Sequence, residues 1–142
     1  MGTKDLDDVM SIERSNPLAL WSKEMFIDEM RNPLAYCYVM RKEEVFKLRV
    51  IGFICFRNVL EESELLNLCV HPDFRGQGVG KGLMQFYVEF SRSRGIKTFH
   101  LEVYSSNHSA IHLYRLFSYE SSGKRKNFYQ GKYDALLMTK KV

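Results

Sequence analysis

The sequence predicts an α/β fold, with a mixed, mostly antiparallel central sheet flanked by helices in the order ααβββαβαββ. Three observations lead there. Runs rich in β-branched and aromatic residues, 36–40, 50–59 and 65–70, follow one another across short polar stretches that favour antiparallel neighbours. From Gly78 onward, Val79, Leu83, Tyr87 and Phe90 recur at helical spacing. Beyond them Phe99, Leu101 and Val103 alternate with Thr98, His100 and Glu102, as in a strand whose two sides face different surroundings.

Taken in order, two amphipathic helices open the chain at 6–15 and 22–31. Asn16 and Pro17 break between them, and Asn32 and Pro33 end the second. The first three strands are separated by the polar stretches 41–47 and 61–64. The long helix that starts at Gly78 stops at Gly95, behind Arg92 and Arg94. Asn107 or Ser109 caps a second helix that runs through Phe117, and strands at 119–125 and 133–139 complete the order.

With 142 residues, 45% of them hydrophobic, the chain has the size and apolar content of one domain, 1–142, and no linker or repeat period divides it. No apolar run approaches the roughly 20 residues of a membrane span, and the N-terminus lacks a signal-peptide pattern, so a cytoplasmic protein without a membrane partner is expected. Cys37, Cys55 and Cys69 sit in apolar stretches without CxxC spacing, which argues for buried thiols. His108 and His112 are i, i+4 on a helix but lack a third ligand, so no metal is expected. A formal charge of +4 suits a phosphorylated cofactor or an acidic or ribosomal partner, yet Lys and Arg are scattered and no direct nucleic-acid contact is expected.

The most informative segment is 65–83, a strand, a glycine-rich turn and a helix start in succession. Residues without side chains let backbone approach an anion, and the unpaired N–H groups of a helix's first turn point at it; Lys81 adds a cation. A Walker A loop needs Gly at Arg75 and Ser or Thr at Gly82, and the dinucleotide fingerprint fails after Gly78. What does fit is Q/R-x-x-G-x-G/A, spelled by Arg75, Gly76, Gln77, Gly78, Val79 and Gly80. It resembles the coenzyme A pyrophosphate signature of the GNAT acetyltransferases. The resemblance extends through Trp21-Ser22, Leu68-Cys69-Val70, Leu101-Glu102-Val103, Ser106-Asn107, Ala110-Ile111 and Leu113-Tyr114. It closes on Arg125-Lys126-Asn127-Phe128-Tyr129 and Asp134-Ala135, an ending similar to the RimI type. The GNAT fold it implies allows an additional N-terminal strand.

Acetyl transfer from a thioester to an amine needs a deprotonated amine, a polarised carbonyl and a proton for the departing thiolate. The resemblance implies Glu102 as general base and Tyr114 as general acid; read from its spacing alone, Tyr114 belongs equally to a buried stripe with Ala110, Ile111 and Phe117. It also implies backbone N–H groups along Leu68, Cys69 and Val70 at the thioester carbonyl, and Asn107 at the pantetheine arm as well as at its helix cap. Trp21, with the loop before it, and Tyr129 are expected to flank an acceptor peptide, although each also suits a core. Cys69 as a nucleophile lacks a visible activating base.

Two residues depart from the family pattern. Ser118 stands where Gly is usual, at a cost of about 1 kcal/mol if its backbone is left-handed. Tyr104 replaces an Arg that often follows the strand, which bears on the acceptor. The activity implied is acetyl-CoA-dependent acetylation of a protein N-terminal α-amine, a ribosomal-protein alanine first, by direct attack. A small-amine acetyltransferase and a noncatalytic coenzyme A-binding regulator are the alternatives, the last expected to have lost Glu102 or Tyr114. The sequence leaves the oligomeric state open.

Overall fold

A computed structural model describes residues 1–18, 21–129 and 131–142. The elements are α1 (Leu6–Arg14), α2 (Lys23–Arg31), β1 (Ala35–Glu44), β2 (Lys47–Val59), β3 (Glu62–Val70), α3 (Val79–Arg92), β4 (Thr98–Tyr104), α4 (His108–Leu116), β5 (Glu120–Tyr129) and β6 (Tyr133–Lys141), with 3-10 turns at Thr3–Asp5 and Pro72–Phe74. The order is the expected ααβββαβαββ. The sheet runs β1-β2-β3-β4-β6-β5. The β1–β2, β4–β6 and β5–β6 ladders are antiparallel, and β3–β4 is parallel. The first 18 residues hold helix and turn, so no additional N-terminal strand forms there.

Contacts group the chain into two compact units, Met1–Arg57 with Asn67–Leu83, and Asn58–Leu66 with Met84–Val142. The first is built on an apolar cluster of Leu6, Val9, Met10 and Ile12 from α1, Phe26 from α2, Val50, Phe53 and Cys55 from β2, and Cys69 from β3. The α1 residues recur at the spacing that presents one helix face to a sheet. Phe26 sets its ring edge-on to Phe53 at 5.4 Å and receives Trp21 at 4.8 Å. Ser22 accepts the Met25 N–H at 3.2 Å and so starts α2. Two buried carboxylates are matched by guanidinium forks: Glu29 with Arg57, both bonds at 2.6 Å, and Asp5 with Arg41 at 2.8 and 2.9 Å. Burial alone would raise the Asp5 carboxyl, but the Gly2 N–H and Arg41 outweigh it and hold it below its ordinary value.

In the second unit Tyr87, Phe99 and Tyr119 are fully buried, and the Ser63 and Tyr87 hydroxyls bond at 2.6 Å. α4 ends in a Schellman arrangement: the Ser118 N–H bonds the Arg115 carbonyl at 3.0 Å and the Tyr119 N–H bonds that of Tyr114 at 3.2 Å. Its left-handed residue is Ser118, at φ 68°.

Several strands are longer than the periodicity indicates. β1 and β2 extend through the polar stretch 41–47, where Glu44 pairs with Lys47 across the two-residue turn Val45-Phe46. β3 takes in Glu62, Ser63 and Glu64, and β5 continues to Tyr129. Most of the added residues are polar and exposed, and the apolar ones, Leu48, Phe128 and Tyr129, do not form an alternating run, so no apolar alternation marks these extensions.

Candidate functional site

In the first unit β3 leads into the glycine-rich turn. Gly76 and Gly78 have φ of 73° and 83°, conformations an L side chain rarely adopts, and an added Cβ on either would meet nothing within 4 Å. Their glycines therefore serve backbone shape and leave that side of the turn open. The first intrahelical bond of α3 runs from the Gly82 N–H to the Gly78 carbonyl at 2.9 Å. Val79, Gly80 and Lys81 consequently carry the N–H groups of the first turn, which have no acceptor within the helix. Open space, side-chain-free backbone and these donors fit a pyrophosphate. Gln77 bonds back to the Asp73 carbonyl at 3.1 Å, and Arg75 reaches the Val70 carbonyl at 3.2 Å and the Ser15 hydroxyl at 3.1 Å, so both brace the turn.

The β3–β4 ladder runs from Glu62↔Thr98 to Leu65↔Leu101 and does not extend to Leu68, Cys69 or Val70. Burial raises the Cys69 thiol above its ordinary value, and the charge of Glu13 adds to it, against a smaller opposing effect of Arg75. That environment disfavours the thiolate a Cys nucleophile would need.

Glu13 was not visible as a site residue from the sequence. It occupies the i+7 position of the stripe Leu6, Val9, Met10 and is only 2% exposed. One oxygen, Oε2, accepts both the Trp21 N–H at 3.2 Å and the Asn67 side-chain amide at 3.1 Å. Oε1 is buried without a hydrogen-bond partner among the described residues. Burial raises the carboxyl above its ordinary value although both bonds oppose this. A charged residue on an apolar stripe is the signal that would have found it. Trp21 is partly buried against the apolar cluster, and residues 19 and 20 of the loop before it lie outside the described residues.

In the second unit Glu102 and Tyr104 lie two residues apart on β4 and share a face, and Tyr104 and Arg125 both pair with Ala135 of β6. Arg125 lies 3.4 Å from the Glu102 carboxylate and 5.0 Å from the centre of the Phe128 ring. Burial, and after it the charge of Glu102, pushes Tyr129 up to about 12. Tyr104 adds its ring at 6.4 Å from Tyr129 and 5.1 Å from Tyr133.

The β5–β6 hairpin explains this grouping. Its register shifts between Arg125 and Tyr129, with Asn127 in the left-handed region at φ 54°. Asp134 accepts the Asn127 N–H at 3.0 Å and pairs with Lys124 at 3.2 Å, contacts that hold its carboxyl below the ordinary value. Beyond the shift Tyr129 pairs again, opposite Tyr133, on the side of β6 that Ala135 and Leu137 also face.

Asn107 caps α4 by accepting the Ala110 N–H at 3.2 Å, while Ser109 lies inside the helix. Tyr114 on that helix is buried, 6.0 Å ring to ring from Tyr119. His108 and His112 are exposed, and among the described residues no group of three His, Cys, Asp or Glu could hold a metal. No helix of the described residues is long and apolar enough to cross a membrane.

Residues 6–119 match the acetyltransferase (GNAT) family. A relative from Bacillus subtilis, named as a candidate ribosomal protein bS18-alanine N-acetyltransferase, is 33% identical over 97% of this chain and 90% of its own length. The ribosomal protein bS18-alanine N-acetyltransferase of Salmonella typhimurium is 30% identical over 97% of this chain and 92% of its own. Among solved structures, the ribosomal-protein-S18-alanine N-acetyltransferase from Escherichia coli superposes with a TM-score of 0.88 at 28% identity, covering 100% of this chain and 90% of that one.

Proposed function

Since the chain belongs to the GNAT family and is an acetyl-CoA-dependent N-acetyltransferase, we propose that its acceptor is the α-amine of a protein N-terminus, with the alanine terminus of ribosomal protein bS18 as first candidate. The observation that carries this reading is the sheet face Glu102 and Tyr129 share through their β6 partners Leu137 and Tyr133, a carboxylate and an aromatic ring on one side of the sheet near the end of β4. A peptide needs such a wall beside its amine. The names of the relatives support the same acceptor. On this reading residues 1–142 act as one domain, in the cytoplasm, without a direct nucleic-acid or membrane partner.

Acetyl-CoA, when bound, supplies an acetyl group on a thioester. The chain's own residues do the rest. The turn from Arg75 to Lys81 holds the pyrophosphate on backbone N–H groups and the positive end of α3. Asn107 bonds the pantetheine arm. N–H groups of Leu68, Cys69 and Val70 polarise the carbonyl. Glu102 takes the proton of the acceptor ammonium, directly or through water, and the amine attacks without a covalent enzyme species. Tyr114 gives its hydroxyl proton to the departing thiolate. Trp21 and Tyr129 flank the peptide.

Short peptides differing at residue one, assayed with acetyl-CoA for thiol release, test the acceptor. An alanine-terminated peptide is expected to turn over well, and Glu102→Gln to lower turnover most where the amine is largely protonated while acetyl-CoA affinity stays near wild type. Turnover confined to small amines would overturn the peptide reading. An unchanged pH profile in Glu102→Gln would remove Glu102 as base.

A further inference from the structure

We propose that Glu13 is a positioning residue for the acceptor, fixing Trp21 relative to the strand that carries Leu68, Cys69 and Val70. This rests on the reading of Trp21 as an acceptor wall. Glu13 is the penultimate residue of α1, and its Oε2 alone receives the Trp21 backbone N–H at 3.2 Å and the Asn67 amide at 3.1 Å. Asn67 immediately precedes Leu68 on β3. The same end of α1 is tied to this segment twice more, by the Cys69 thiol donating to the Ile12 carbonyl at 3.6 Å and by Arg75 donating to the Ser15 hydroxyl at 3.1 Å. One carboxylate oxygen therefore links the start of the acceptor-side helix to the strand expected at the thioester.

Packing alone does not account for the residue. The position belongs to the apolar stripe of Leu6, Val9 and Met10, where Leu would bury well, and no cation pairs with the carboxylate among the described residues. Its second oxygen is buried without a hydrogen-bond partner there, a cost a purely structural site has no reason to keep. What an apolar residue cannot do is hold a main-chain N–H of the loop and a side chain of β3 at one point. Loss of that point leaves the Trp21 segment free to shift against the strand, and small misplacements of groups that orient a substrate have large kinetic effects.

Trp21 is the sequence's single tryptophan, so its fluorescence reports this segment whatever the acceptor proves to be. In the full-length protein, Glu13→Ala is expected to red-shift Trp21 emission and to raise the KM for an alanine-terminated peptide about tenfold, with kcat and acetyl-CoA affinity within about twofold of wild type. Glu13→Gln keeps an oxygen in the place of Oε2 and should restore emission and KM. Unchanged emission and KM in Glu13→Ala, a parallel loss of acetyl-CoA affinity, or no rescue by Gln would each overturn the inference. If the alanine variant does not fold, Asn67→Ala, which removes one donor and leaves α1 intact, replaces it; a raised peptide KM supports the inference and an unchanged one overturns it. A wild type that binds acetyl-CoA but acetylates no peptide defeats the proposed acceptor, and the emission comparison still decides whether Glu13 holds Trp21.

Discussion

Replacing Ser118 by glycine is expected to stabilise the protein. Ser118 sits at φ 68° as the left-handed residue of the Schellman arrangement that ends α4. That conformation brings the Cβ of an L residue toward the following carbonyl and costs roughly 1–2 kcal/mol, which glycine does not incur. Glycine gives back part of this gain, about 0.4–1 kcal/mol, because its unfolded chain has more freedom to lose. The net is a stabilisation of about 1 kcal/mol or slightly less. For a chain of 142 residues this corresponds to a rise in Tm of roughly 2–4 °C. Urea unfolding at neutral pH is the assay, with the midpoint moving up and the slope unchanged. Ser118→Ala, which keeps the Cβ, serves as the control and should gain nothing. A Ser118→Gly midpoint at or below wild type would refute the assignment of strain to this residue. The site matters beyond stability, since the Tyr119 N–H bonds the Tyr114 carbonyl in the same arrangement.

Gly78→Glu should abolish detectable acetyl-CoA binding by calorimetry, because a side chain is strained at φ 83° and adds negative charge beside the first turn of α3; wild-type affinity would remove the turn from the cofactor site. Tyr114→Phe keeps the buried ring and removes only the hydroxyl, so single-turnover rate should fall by about 10²–10⁴-fold with little change in Tm; full activity in the folded variant would reduce Tyr114 to packing. Asp5 is held below its ordinary value in the folded state, so its contribution to stability is present above that value and is lost as pH falls through it toward the depressed folded value. Thermal unfolding from about pH 5 down to about pH 3 should show a shallower fall in Tm for Asp5→Asn than for wild type, and parallel curves would contradict the assignment.

The order of elements was legible because apolar residues recur with helical period at Val79, Leu83 and Tyr87 and with strand period at Phe99, Leu101 and Val103. Element ends were less so. The β1–β2 hairpin closes on Val45-Phe46, with Phe46 at φ 68°, so neither its turn residues nor its charged flanks carry the usual hairpin signal. The glycine turn was readable because Gly76 and Gly78 are required by backbone shape, a demand that leaves its mark in composition. Ser118 shows the limit of that mark, since the same demand is met there by a residue that does not advertise it. The Arg125 contact with Glu102 was hidden for another reason: it depends on cross-strand register and on a bulge at Asn127, and neither can be counted along the chain. Glu13 was open to discovery as a charge on an apolar stripe, but its two donors come from the loop that follows α1 and from a strand far away in sequence, and no periodicity brings them together.

The acceptor is defined by which nitrogen receives the acetyl group. A peptide with a free alanine N-terminus and an internal lysine, incubated with the purified protein and acetyl-CoA and mapped by fragment mass spectrometry, answers it directly. Acetylation is expected on the α-amine and not on the lysine Nζ, and to fall sharply in Glu102→Gln. Acetyl on the lysine alone, or an unmodified peptide from a protein that binds acetyl-CoA, would contradict the account.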